Sequence, residues 1–265
     1  MLAQRVFSAL IALAVVLGAI FLVEPTITVL ILVAIAAMAG WEWGSLLYTR
    51  ESLAATIYAI ALAGVFVAVW FWVPSLAEQP RPLMLFALLF WAGAFVTIVR
   101  FPVQFSPLLV FIVGFVLLIP AFVALAHIVS GPLGDLRLLT LLVVIWAADV
   151  GAYFVGRRFG RIRLAPQVSP GKSWEGVAGG LLAAAVVGFI AAGYLDEPTA
   201  EFIAVAIATA ALSIVGDLTI SMFKRHAGVK DSGTLFPGHG GLLDRIDSIG
   251  AGAPLFALLL PLLGG

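Results

Sequence analysis

Nine apolar runs, most of about 20 residues and the last of 15, take up most of this 265-residue chain. A run of that length, wound as a helix rising 1.5 Å per residue, crosses a hydrocarbon core of roughly 30 Å. The runs lie at approximately residues 6–23, 26–47, 54–73, 82–99, 106–129, 138–156, 176–195, 200–223 and 249–263. Lipid offers no partner for a free backbone N–H or C=O, so each run must be a helix, and the alternation of a β-barrel is not visible. The expected fold is therefore an all-α polytopic integral membrane protein with about nine transmembrane helices. The first run follows Arg5, lacks a small-residue cleavage site and leads directly into Glu24, Pro25 and another span, so it is expected to be retained.

Composition excludes a hidden soluble domain. Charged residues make 11% of the chain, against roughly 25% in soluble proteins. The mean hydropathy of +1.18 leaves no stretch polar enough to form one. A net charge of zero offers no attraction for nucleic acid, and none is expected as a partner. The absence of cysteine removes disulfides, thiolate metal sites and cysteine nucleophiles together.

Nine spans put the termini on opposite sides, and the distribution of Lys and Arg selects the side. Twelve of the fourteen fall with the N-terminus: Arg5, Arg50, Arg100, Arg157, Arg158, Arg161, Arg163, Lys172, Lys224, Arg225, Lys230 and Arg245. Only Arg81 and Arg137 fall opposite. The positive-inside rule then makes the N-terminus cytoplasmic and the C-terminus external. Residues 1–137, with short and weakly charged connections, read as a scaffold of about five helices. Residues 138–265 carry the polar chemistry, concentrated in cytoplasmic loops at 157–175 and 224–248.

Asp149 and Asp217 stand well inside apolar runs. Each costs roughly 2.5–3.5 kcal/mol at a helix centre on insertion scales, which argues for a purpose. Asp217, Ser221, Lys224 and Arg225 recur at helical spacing, so one face leads from a buried carboxylate to two cations at the surface. Glu42, between Trp41 and Trp43, has the pattern of an interfacial belt and is taken as structural. The stretch 224–248 holds Lys224, Arg225, Lys230, Asp231, Asp244, Arg245 and Asp247 with His226, His239 and five glycines. Such a set suits a polyanion with a metal: carboxylates hold a hard cation, Lys and Arg neutralise phosphate oxygens, and glycine lets backbone N–H groups approach. Asp244, Asp247 and Ser248 would share a face if the last helix began there. In the other loop, Gly171-Lys172-Ser173 invites a P-loop interpretation, but the position of its first glycine is Pro166 and no strand is expected before it. Gly176 and Gly180 are expected to form a small-residue packing face.

The contiguous residues Ser221-Met-Phe-Lys224-Arg225 through Lys230-Asp231 and His239-Gly240-Gly241 to Asp244-Arg245-Ile-Asp247-Ser248 closely resemble the signature of the phosphatidate cytidylyltransferases, or CDP-diacylglycerol synthases. Asp149 to Gly160 and Ser169 to Gly176 resemble the same family, which often has Lys where this chain has Gly171 and Thr where it has Ser173. The resemblance implies that CTP and phosphatidic acid give CDP-diacylglycerol and pyrophosphate, with Mg²⁺, at the cytoplasmic face. It implies Asp217 and Asp244 as metal ligands, with a second cation possible and Asp149, Asp231 and Asp247 as further candidates. Lys172, Lys224, Arg225, Lys230 and Arg245 become phosphate clamps, foremost Lys172, Lys224 and Arg245, while Ser169, Ser221 and His239 join the substrate site. The family also favours a homodimer, and the short chain fits a bacterial inner membrane.

Two other functions compete. A CTP-dependent kinase of a polyprenol or other lipid alcohol would use a similar polyanion site, but it does not account for the 221–248 signature. An ion-coupled transporter could use Asp149 and Asp217 at mid-membrane, yet no inverted repeat is visible and the charges gather at one face.

Overall fold

Each predicted apolar run falls on a helix of the computed structural model, which describes residues 2–47, 52–233, 235 and 240–263. In chain order these are α1 (Leu2–Phe21), α2 (Pro25–Leu47), α3 (Leu53–Trp72), a short α4 (Pro74–Glu78), α5 (Arg81–Arg100), α6 (Pro107–Ser130) and α7 (Gly134–Phe159). After α7 come two strands, β1 (Arg163–Ala165) and β2 (Ser169–Ser173), then α8 (Trp174–Leu195), α9 (Thr199–His226) and α10 (Leu243–Leu259), which closes on a 3₁₀ turn at Leu260–Leu262. Among the described residues eight helices are long and apolar enough to cross a membrane, and α1 is a further 20-residue helix over the first predicted run. The chain is an all-α polytopic integral membrane protein.

Three boundaries depart from expectation. The final helix begins at Leu243 instead of 249, because Asp244, Arg245 and Asp247 lie inside its first turns and depress the local hydropathy that sequence inspection relies on. The polar connection before it is therefore 227–242. The segment expected as loop 157–175 starts within α7 and contains an antiparallel hairpin, β1 against β2, with Arg163 opposite Ser173. Lys172 thus stands in a strand, and the P-loop fails for that reason as well as for Pro166, since its lysine belongs to a loop capping a helix.

The packing is that of a membrane bundle. Outward faces stay apolar, with Leu89, Ile60, Val99, Leu182 and Phe189 all strongly exposed. The interior is centred on α6, the most enclosed of the spans, whose Leu117, Leu118, Phe122 and Val123 are buried. Helices α7 and α8 approach through small residues, as expected at Gly176 and Gly180. A Cβ on Gly180 would lie 2.7 Å from the Ala148 carbonyl oxygen, and one on Gly179 2.4 Å from Val155 Cγ2. Gly216 does the same for α9 and α10, where a Cβ would meet the Asp247 carbonyl oxygen at 2.6 Å. These contacts bring the backbones that carry Asp149, Asp217 and Asp247 together.

Candidate active site

The site is assembled at one end of the bundle from α7, the hairpin, α9 and the start of α10. Strand β2 ends at Ser173, whose Oγ accepts from the Gly176 N–H at 3.2 Å and so caps α8. That junction carries Lys172 across to α9, where its Nζ lies 2.5 Å from Asp217 Oδ2. Ser221, one turn along α9, donates its hydroxyl to Asp217 Oδ1 at 3.2 Å. A second ammonium pairs with a second carboxylate nearby: Lys224 Nζ lies 2.5 Å from Asp244 Oδ1, with both side chains about nine-tenths buried. The remaining oxygen, Asp244 Oδ2, accepts backbone N–H bonds from Ser232 at 3.0 Å and Gly241 at 2.9 Å.

Charge of both signs converges on this region. Asp217 repels both Asp149 and Asp247, while Lys172 attracts both; Arg245 attracts Asp149, and Lys224 attracts Asp247. Asp149, Asp244, Arg245 and Asp247 form the polar end of a cavity of about 550 Å³. Apart from Thr28 the rest of its wall is apolar, from α1, α2, α6, α7 and α10, and includes Ile20, Ile35, Leu125, Leu142 and Trp146. The combination is amphipathic, with fixed charges at one end and a long hydrocarbon wall behind them.

The other sequence candidates lie around this centre. Ser169 opens β2 opposite Ala165. Arg225 is engaged with main-chain carbonyls, its guanidinium donating to Val229 at 3.1 Å and Val168 at 3.5 Å, which ties the end of α9 to the hairpin. Lys230 is exposed on the connection between α9 and α10, and Asp231 is exposed beside Gly240. His226 packs edge-on against Phe105. His239, together with Arg50, Pro237 and Gly238, lies outside the described residues. Gly240 adopts φ +82°, a left-handed conformation suited to glycine, and a Cβ there would meet Asp244 Oδ2 at 2.5 Å.

Sequence inspection missed Glu42. Its expected place in an interfacial belt is incorrect: Glu42 is 2% exposed, and Trp43 is fully buried with Nε1 donating to the Val110 carbonyl at 3.0 Å. The Glu42 carboxylate accepts from Ser232 Oγ at 2.7 Å and from the N–H groups of Leu242 and Leu243, both at 2.8 Å. The available signal was the cost of an acid inside an apolar run, the criterion already applied to Asp149 and Asp217. The flanking indoles obscured it.

The donor set suits a hard cation only with help from substrate. Among the described residues no three His, Asp or Glu side chains are grouped closely enough to enclose a metal. Mg²⁺ is usually held by one or two carboxylates, with waters and substrate phosphates completing the octahedron. Asp217 and Asp244 meet that requirement, since each carboxylate oxygen offers two lone pairs and only Asp244 Oδ2 has both engaged by the contacts above.

Comparison with known proteins agrees with the geometry. The sequence profile described as the cytidylyltransferase family matches residues 3–263. A protein of Haemophilus influenzae named phosphatidate cytidylyltransferase is 42% identical over 97% of this chain and 98% of its own length. One of the same name from Pseudomonas aeruginosa is 40% identical over 98% of this chain and 97% of its own length. A third, from Synechocystis, is 46% identical over 52% of this chain and 49% of its own. A match from residue 3 to residue 263, with full-length relatives at this identity, makes the chain a member of the cytidylyltransferase family.

Proposed function

We propose that this enzyme transfers a cytidylyl group from CTP to phosphatidic acid, giving CDP-diacylglycerol and pyrophosphate at the cytoplasmic face of a bacterial inner membrane. The observation that carries the proposal is the pair of ion pairs, Lys172 with Asp217 and Lys224 with Asp244, the second of which contributes Asp244 to the lining of a mostly apolar cavity. A polyphosphate needs the cations, and a diacylglycerol moiety needs the hydrocarbon wall. The concentration of Lys and Arg at this end of the bundle supports its exposure to the cytosol, where CTP is found. Bacterial full-length relatives support the choice of membrane. The family resemblance also favours a homodimer.

In this reaction a phosphate oxygen of phosphatidic acid attacks the α-phosphorus of CTP. The new P–O bond forms as the bond from that phosphorus to the bridging oxygen breaks, and pyrophosphate leaves with the electron pair. A phosphate monoester is already largely ionised at pH 7, so the protein has little proton transfer to perform. Its work is positioning and charge neutralisation. An ammonium has three N–H donors, and each lysine gives one to its aspartate, which leaves two for phosphate oxygens. Arg245, which lines the cavity, supplies a planar fork for the lipid or nucleotide phosphate. Asp217 and Asp244 would hold Mg²⁺, and Asp149 and Asp247 would add negative charge to the same region. The cation, when bound, neutralises phosphate charge that grows in the transition state. Residues 138–265 thus carry the chemistry, and 1–137 supply scaffold and cavity wall.

The test is pyrophosphate release by detergent-purified protein given CTP and Mg²⁺, with and without phosphatidic acid, alongside ATP and a polyprenol. Phosphatidate-dependent pyrophosphate from CTP is expected. CDP formed with the alcohol would make the chain a lipid kinase, and inactivity with every pair would return attention to transport.

A further inference from the structure

We infer that Glu42, on α2, is a positioning residue of the transfer site and that it acts by fixing the direction of Asp244; the inference rests on the assignment of Asp244 to the reaction. Glu42 is remote from this segment in sequence, 200 residues from Leu242 and 190 from Ser232. Its two oxygens nevertheless take up three donors that belong to the Asp244 framework. Oε1 accepts from the Leu242 N–H, and Oε2 from the Leu243 N–H and the Ser232 hydroxyl.

Leu242 and Leu243 open α10, and the first N–H groups of a helix have no acceptor within it. No side chain of α10's own N-cap residue supplies one here. A carboxylate from another helix does so instead, at the end where the helix dipole favours negative charge. Ser232 joins the two acids directly: its hydroxyl donates to Glu42 while its backbone N–H donates to Asp244 Oδ2. The chain is also pressed onto the carboxylate, since a Cβ on Gly233 or Gly241 would lie 2.5 or 2.3 Å from a Glu42 oxygen. Glu42, Ser232, Gly241 and Asp244 are therefore one clamp. Loosening it frees the first turn of α10, and with it the aim of Asp244, Arg245 and Asp247.

Both Glu42 oxygens face backbone donors, so an amide, which replaces one acceptor by a donor, leaves at least one N–H opposed. Aspartate keeps the acceptors but is shorter by one methylene. The experiment compares Glu42→Gln, Glu42→Asp, Ser232→Ala and Asp244→Asn by pyrophosphate release per amount of folded, monodisperse protein, with kcat and both KM values measured. Glu42→Gln is expected to lower kcat by roughly 10²-fold, the scale of an ångström-level misplacement, while Glu42→Asp regains at least about tenfold of that loss. The phosphatidate KM should change by less than kcat does, because most of the apolar wall belongs to helices other than α10. A purely structural anchor would lower the yield or melting temperature and leave kcat per folded enzyme unchanged; that result overturns the inference. If Glu42→Gln does not accumulate folded, Ser232→Ala gives the same readout, with a roughly tenfold loss of kcat expected for one missing charge-assisted bond, and an unchanged kcat overturns it equally. An Asp244→Asn enzyme of normal rate would overturn the inference together with the assignment it rests on. An inactive Asp244→Asn beside a fully active Glu42→Gln would overturn the role of Glu42 alone.

Discussion

Lys172 and Asp217, 45 residues apart in sequence, meet in the folded protein with Nζ 2.5 Å from Oδ2. The contact joins a two-stranded hairpin to the C-terminal half of α9, and it is repeated a few residues further along that helix by Lys224 with Asp244. Each pair holds a cation suited to phosphate against an anion suited to metal. The site is close to neutral before substrate arrives, which lessens the cost of keeping these charges at the membrane boundary.

The two lysines should part in their effects on folding. Lys224 and Asp244 are both almost fully buried, so Lys224→Ala leaves an uncompensated carboxylate and is expected to destabilise by about 3–5 kcal/mol. Lys172 and Asp217 are about a quarter exposed, and water softens the loss of Lys172. Thermal unfolding in detergent should show a large drop for Lys224→Ala and a small one for Lys172→Ala. Comparable drops would contradict the burial argument.

Lys172→Ala should instead act on the nucleotide. Removing one ammonium contact to phosphate is worth roughly 1.4 kcal/mol or more, a tenfold rise in the KM for CTP. Steady-state kinetics at saturating phosphatidate measure it. A change confined to expression level would mean that Lys172 serves only to hold topology.

Asp217→Asn and Asp244→Asn are each expected to reduce turnover by at least about 10²-fold, the scale of losing a preorganised electrostatic group. They should differ in stability, because only Asp244 also accepts the Ser232 and Gly241 N–H groups. Chelation of divalent cations should abolish pyrophosphate release in the unaltered enzyme, with Mg²⁺ restoring it. Activity that survives chelation would remove the metal from the proposal.

Leu142 lines the apolar part of the cavity, where a larger side chain shortens the space behind the charged end. Leu142→Trp should raise the KM for long-chain phosphatidate more than for a short-chain analogue, leaving the KM for CTP unchanged. Equal effects on both lipids would place the acyl chains elsewhere.

Helix α7 meets α8 so closely that Gly180 has no room for a side chain, a Cβ there falling 2.7 Å from the Ala148 carbonyl. Gly180→Leu should therefore cost about 1–3 kcal/mol or more through overpacking, read as a lower detergent melting temperature. Gly193, with open space at its Cβ, is the control and should tolerate alanine.

Much of this protein was legible in the chain itself, because a bilayer leaves few choices. An apolar run of about 20 residues must become a helix, so the long helices from α1 to α9, all but the short α4, lie where hydropathy put them. The isolated acids Asp149 and Asp217 announced themselves by their cost, and the signature from Ser221 to Ser248 carried the family. What hydropathy could not convey was the start of α10: its first turns are polar, and helix N-termini depend on partners outside the helix. Nor does spacing along one helix tell which cation meets which acid. The hairpin that delivers Lys172 to Asp217 and the closure of α10 onto α9 decide that. Glu42 is the clearest case, since its environment is set entirely by Ser232, Leu242 and Leu243, about 200 residues away, and only tertiary structure turns an acid between two tryptophans into the clamp behind Asp244.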